Sequence, residues 1–189
     1  GGSVVLGSGA VGGAINLTDK IEFGRPSRFL ATGLAGSYET YSGALQGIWS
    51  SNKFYAKISA TYGESENDYA YPDTGKKNEN GQYKNYGLQY ALGNQINANN
   101  IISFFGSHIR NDRNLSATLT TDGRSGLITT YDRLALKWNN SGNRYSSNLS
   151  VAYLLENFDY FPDKNLPISN ENKGRNLITT YDLSYFLNN

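Results

Sequence analysis

His108 is the single histidine of the chain and stands two residues from Arg110. An imidazole can ligate haem iron or carry a proton. The sequence offers no second His and no Met to complete an axial pair, so a solvated histidine is the reading adopted. Glu64, Glu66 and Asp68 cluster closely enough to attract a cation, although such a run ordinarily marks a solvated flank. No Ser, His and Asp arrangement has spacing that supports a nucleophile, so neither enzymatic activity nor a cofactor is expected. Gly7-Ser8-Gly9-Ala10-Val11-Gly12 spells a dinucleotide-type glycine spacing. That site needs a helix to follow, and Ile21-Glu22-Phe23-Gly24-Arg25-Pro26 breaks one.

The elements that would position these residues are strands. Phe54, Ala56, Ile58, Ala60 and Tyr62 alternate with Tyr55, Lys57, Ser59 and Thr61. Tyr86, Leu88, Tyr90 and Leu92 do the same, as do 145–155 and 177–187. This period of two fits strands and no helix. It predicts about eight of them, near 28–37, 41–50, 53–63, 83–93, 100–110, 128–138, 144–158 and 175–187, all but the last two about the 9–11 residues that a tilted bilayer crossing needs. Connections near 51–52, 94–99 and 139–143 are short and rich in Asn, Gly and Ser, as tight turns are. Those at 64–82, 111–127 and 159–174 are long and charged, while the one near 38–40 is short although it falls in the same series. Short turns at one end and long loops at the other are the rhythm of a transmembrane β-barrel. If the first strand runs outward, every long loop lies outside, and Trp49 and Trp138 fall at the inner strand ends, where an aromatic girdle belongs.

Composition agrees. A net charge of +1 and no basic run exclude a nucleic-acid partner. The chain has no Cys, hence no disulfide framework, and no run of 18 apolar residues that could form a membrane-spanning helix. A mean hydropathy of -0.53 looks soluble, yet a barrel dilutes its lipid-facing residues with polar ones at every second position. Fifteen Tyr among 13% aromatics suit a membrane boundary. A Tyr-rich soluble β-sandwich is the competing reading.

Two local expectations follow. The hexapeptide Leu-Ile-Thr-Thr-Tyr-Asp occurs at 127–132 and 177–182, read as two equivalent loop-to-strand transitions. After the first copy the apolar positions become Leu134, Leu136 and Trp138, out of phase with Tyr131, so a β-bulge is expected near Asp132-Arg133.

The leader Leu6-Gly7-Ser8-Gly9-Ala10-Val11-Gly12-Gly13-Ala14-Ile15-Asn16-Leu17 resembles the end of the plug domain in TonB-dependent outer-membrane receptors, which typically reads tyr-gly-ser-gly-ala-ile-gly-gly-val-ile-asn-ile. Val5-Leu6 departs from the usual Leu-Tyr, and Thr18-Asp19-Lys20 carries one residue more than the usual Thr-Lys ending. The resemblance assigns a structural plug motif to Gly7, Ser8, Gly9, Ala10, Gly12, Gly13, Ala14 and Asn16. It implies residues 1–20 as the C-terminal end of a plug and 21–189 as the N-terminal part of a barrel of about 22 strands. The absence of Met and the abrupt opening on Gly1-Gly2-Ser3 suggest an internal piece of a longer chain. Its first and last strands would then be sheet edges, not the seam of a closed barrel.

The resemblance further implies energised uptake across the bacterial outer membrane of a ferric siderophore, another metal chelate or cobalamin. Its partners would be the energy-transducing TonB complex and outer-membrane lipid. A small structural or adhesive outer-membrane barrel with ligand-binding loops is the alternative. Within the expected loop 159–174, Tyr160 and Phe161 are candidates to stack on a ligand, or else to form the upper girdle. His108 and Arg110 would face the lumen if Ile101, Phe105 and Ile109 face lipid.

Overall fold

The computed structural model describes residues 21–118 and 123–187. Eight strands follow one another: β1 (Arg28–Gly36), β2 (Thr40–Ser50), β3 (Phe54–Ser65), β4 (Tyr83–Asn97), β5 (Asn100–Asn114), β6 (Gly126–Ser141), β7 (Tyr145–Phe161) and β8 (Asn170–Tyr185). They form one antiparallel sheet in chain order. Among the described residues β1 and β8 are its two edges and do not pair with each other. The plug motif lies outside the described residues.

All eight expected strands are present, and most of the differences lie at the long-loop end. Pairing there continues to Ser65↔Tyr83, Asn114↔Gly126 and Tyr160↔Asn170. Each added rung satisfies backbone groups that a loop would have to leave to water. The long connections therefore shrink to 66–82, 115–125 and 162–169, and Tyr160 and Phe161 stand in β7 instead of a loop.

The turns at the other end are built from short polar side chains. Asn97 Oδ1 accepts from the Asn99 amide and the Asn100 side chain, both at 2.9 Å, closing the β4–β5 turn. The ladder's one register shift lies beside it, between Gln95 and Asn97. The bulge expected near Asp132-Arg133 is not there: β6 pairs without interruption from Gly126 to Asn140 with β5 and from Gly126 to Ser141 with β7. Tyr131 simply stays on the face opposite Leu134.

Pairing sorts the side chains into two faces. Cross-strand partners share a face, so Trp49, Ala56, Leu92, Phe104, Leu136 and Val151 lie together along one row of the ladder. Large apolar side chains on this face are exposed, Leu45, Trp49, Ile58, Leu92, Leu136 and Leu183 among them. The other face carries Gln46, Ser59, Gln89, Ser107, Arg133 and Asn176.

The apolar belt runs obliquely across the ladder. In β2 it spans Tyr41 to Trp49. Followed rung by rung to β8, these positions arrive at Glu171 and Thr179. The apolar stretch of β8 instead spans Leu177 to Tyr185, six residues further along at both margins after six strand-to-strand steps. One residue per strand, with ~3.3 Å rise and ~4.8 Å strand spacing, inclines the belt by about 35° to the ladder.

The core is small and sits on the polar face. Ile48, Tyr55 and Ala91 are buried, with Ile21, Phe23 and Phe105 packed against them. The chain entering β1 thus folds over the polar face at the short-turn end. Gly24, at φ +71°, donates to the Ser51 carbonyl at 2.9 Å, and the Ser50 hydroxyl donates to the Glu22 carbonyl. Gly93 makes room for this segment, since a Cβ there would come within 2.7 Å of Ile21.

Candidate ligand-binding site

At the long-loop end the polar face opens into a cavity of about 620 Å³. Asn85 of β4, Asn111 and Arg113 of β5, Thr129 and Tyr131 of β6, and Phe158 of β7 line its wall. These converge because each strand shows the same parity to this face, and antiparallel pairing sets Asn85 opposite Asn111 and Asn111 opposite Thr129. The Asn111 amide donates to Thr129 Oγ1 at 3.2 Å, which fixes its carbonyl oxygen as an acceptor. Arg113 is the one charged side chain among the described lining residues.

The rim is a loop structure held by asparagines. Asn78 and Asn80 are buried in segment 66–82. Asn80 donates to the carbonyls of Leu115 at 2.7 Å and Ser125 at 2.9 Å, clamping the two ends of segment 115–125. Asn78 donates to the Asn67 carbonyl at 2.9 Å, while its own Oδ1 is buried without a partner among the described residues. Gly81 is required beside it, because a Cβ would come within 2.1 Å of the Asn78 amide.

Aromatic and ionic contacts stiffen the same end. Tyr38 and Tyr69 meet edge-to-face at 6.3 Å, Tyr69 and Tyr71 at 5.3 Å, and the Tyr71 hydroxyl donates to the Ala117 carbonyl. Lys77 donates to Asp68 at 2.8 Å. The Lys77 ammonium holds the Asp68 carboxyl below its ordinary range, and the carboxylate in turn raises Lys77. This pair separates the acidic cluster: Asp68 goes to Lys77, while Glu64 accepts from Tyr62 and lies 3.6 Å from Lys84. No group of three metal-ligating side chains forms among the described residues.

The sequence-nominated residues are dispersed. His108 and Arg110 do not face the polar side. His108 pairs with Leu88 and Asp132, and Arg110 with Tyr86 and Thr130, so both stand on the apolar face. Ile101, Phe105 and Ile109 take the polar face, where Phe105 packs on the small core. The polarity of β5 is too even for parity alone to orient it, and its neighbours decide. His108 Nδ1 lies 2.6 Å from Asp132 Oδ1, beside the Tyr86 ring at 6.4 Å, so the two polar side chains partner each other at the margin of the belt.

Tyr160 keeps the parity of Phe158 and lies two rungs beyond it, whereas Phe161 turns to the apolar side. Sequence reasoning missed Asn85, Asn111, Arg113, Thr129 and Tyr131. Asn85, Thr129 and Tyr131 are out of phase with the apolar residues of their strands, which identifies a face without saying which residues converge on it. Asn111 and Arg113 share the parity of Ile101, Phe105 and Ile109 and carried no such signal.

The described residues are thus all-β: eight antiparallel strands in one sheet, with no helix. No protein-family model matches the chain, and no curated protein matches it.

Proposed function

We propose that this chain is part of a TonB-dependent receptor of the bacterial outer membrane, with the end of a plug at 1–20 and the first barrel strands from 21 onward. The receptor would capture a scarce nutrient outside, a ferric siderophore, another metal chelate or cobalamin, and import it. The observation that carries the reading is the oblique apolar belt. A horizontal slab of lipid crosses tilted strands at a steadily shifting register, and about 35° matches the strand tilt of barrels. A soluble sandwich has no reason to slide its apolar residues by one position per strand.

Two further features support the receptor over a small adhesive barrel. A closed eight-stranded barrel requires pairing between β1 and β8, which these strands lack. Moreover, the segment that follows the plug-like leader folds onto the polar face at the short-turn end, where a chain leaving a luminal plug would arrive. In this mechanism the wall performs no chemistry. The long-loop end binds the ligand, and force relayed through TonB displaces the plug to open a path.

The test is expression of the full-length protein in its own cells, followed by membrane fractionation and heat-modifiable gel migration. Recovery in the outer membrane, with ligand uptake abolished by loss of TonB, is the expected result. A soluble protein, or uptake indifferent to TonB, refutes the reading.

A further inference from the structure

We infer that the cavity at the long-loop end takes a hydroxylated ligand carrying an acid group, and that Arg113 selects for the acid. This rests on the proposed receptor reading and specifies the ligand class of its site. Several nearby cations lie beside carboxylates, Lys84 beside Glu64, Arg133 beside Glu156 and Lys164 beside Asp112, while Lys137 of β6 lies over the Phe105 ring. Arg113 has no carboxylate partner among the described residues, is exposed, and projects into a cavity whose described lining contains no acid. A guanidinium presents a planar fork of donors suited to a carboxylate or phosphate.

The rest of the wall fits hydroxyl groups. The Asn85 side chain makes no hydrogen bond among the described residues, and Asn111 keeps its carbonyl oxygen free after donating to Thr129. Primary amides both donate and accept, as alternating hydroxyls require. Phe158 stands 46% exposed at the cavity wall, and Tyr131, its ring already carrying the Arg133 guanidinium at 5.7 Å, stands nearby. An exposed ring beside amides offers a stacking surface for the flat side of a sugar or chelate. Sugar acids and carboxylate metal chelates share this chemistry.

The experiment is titration calorimetry on the purified full-length protein in detergent, with trigalacturonate and the ferric complex of citrate as acidic probes and maltotriose as the neutral one. At least one acidic probe should bind, more weakly as salt rises, and maltotriose should not. The probe that binds identifies a sugar acid or a metal chelate as the source. Arg113→Gln should weaken that binding by roughly tenfold to a hundredfold, the loss of a charge-assisted hydrogen-bonded pair. Arg113→Lys should restore part of it, and Arg110→Gln, on the opposite face, should change nothing.

Heat-modifiable migration of each variant checks folding independently. Equal binding of maltotriose, an unaffected Arg113→Gln variant, or no binding of either acidic probe overturns the inference. If the protein nevertheless resides in the outer membrane and imports in a TonB-dependent manner, the receptor reading survives that failure.

Discussion

Leu127 and Leu177 begin the same hexapeptide and lie on opposite faces of the sheet. Leu127, 6% exposed, pairs with Arg113 and Tyr160 on the polar face. Leu177, 70% exposed, pairs with Tyr153 on the apolar belt. They also enter their strands differently, at the second residue of β6 and the eighth of β8. The two copies are therefore not equivalent loop-to-strand transitions. Register against the neighbouring strand decides the face, and a slip of one residue reverses it.

The belt gives the sharpest test of membrane insertion. Ile58 lies midway along the apolar stretch of β3, and its neighbour Ser59 faces the other way. Ile58→Arg should cost about 2–4 kcal/mol of folding stability in lipid vesicles, the penalty for a cation near the bilayer midplane. Ser59→Arg should cost less than about 1 kcal/mol. Urea titration of the vesicle-folded protein reads both, and equal costs would remove the distinction between the faces.

Gly93 should govern how the segment entering β1 docks. Any side chain there meets Ile21, so Gly93→Val should lift residues 21–24 from the polar face. Hydrogen exchange at the Gly24 amide, bonded at present to the Ser51 carbonyl, should accelerate at least tenfold. Unchanged protection would mean that the segment is held by something other than this contact.

The β1–β2 turn holds Tyr38 at φ 59° and Glu39 at φ 52°, both left-handed and neither glycine. The strain is offset at the Tyr38 carbonyl, which accepts from the Ser65 hydroxyl and from the Glu66 and Asn67 amides. Glu39→Val should destabilise by about 1–2 kcal/mol, and Glu39→Gly should be neutral or stabilising by up to about 1 kcal/mol. Denaturant midpoints measure this, and a destabilising glycine would show the turn to be unstrained.

Acid and base should loosen the 66–82 segment at opposite ends of the pH scale. Asp68 has a depressed pKa, so its contribution is complete above the ordinary carboxylate value and fades as pH falls through the lowered one. Lys77 has a raised pKa, so its contribution is complete below the ordinary lysine value and fades as pH rises through the raised one. Protection at the Tyr71 and Asn78 amides, which close the Ala70↔Lys77 bridge, should reflect this after correction for intrinsic exchange. It should stay flat from about pH 5 to about pH 9. Because the pair is exposed, the amplitude should be small, and Asp68→Asn should abolish the acid limb. A variant that kept the acid limb would assign it to another group.

Strand existence was legible in the chain because a sheet with one apolar and one polar face repeats every two residues, as in Phe54 to Tyr62 and Tyr86 to Leu92. The short turns were legible too, since Asn97 and its neighbours carry their own hydrogen-bonding chemistry. Alternation, however, says only that two faces differ. For an evenly mixed strand such as β5, which face His108 and Arg110 take is set by rungs to Leu88, Asp132, Tyr86 and Thr130, contributed by other strands. The cavity likewise depends on four separate strands presenting Asn85, Arg113, Tyr131 and Phe158 to one place. Local propensity determined the strands of this protein. Only long-range pairing, through which each backbone hydrogen bond commits two distant segments to a common register, decided its faces and its site.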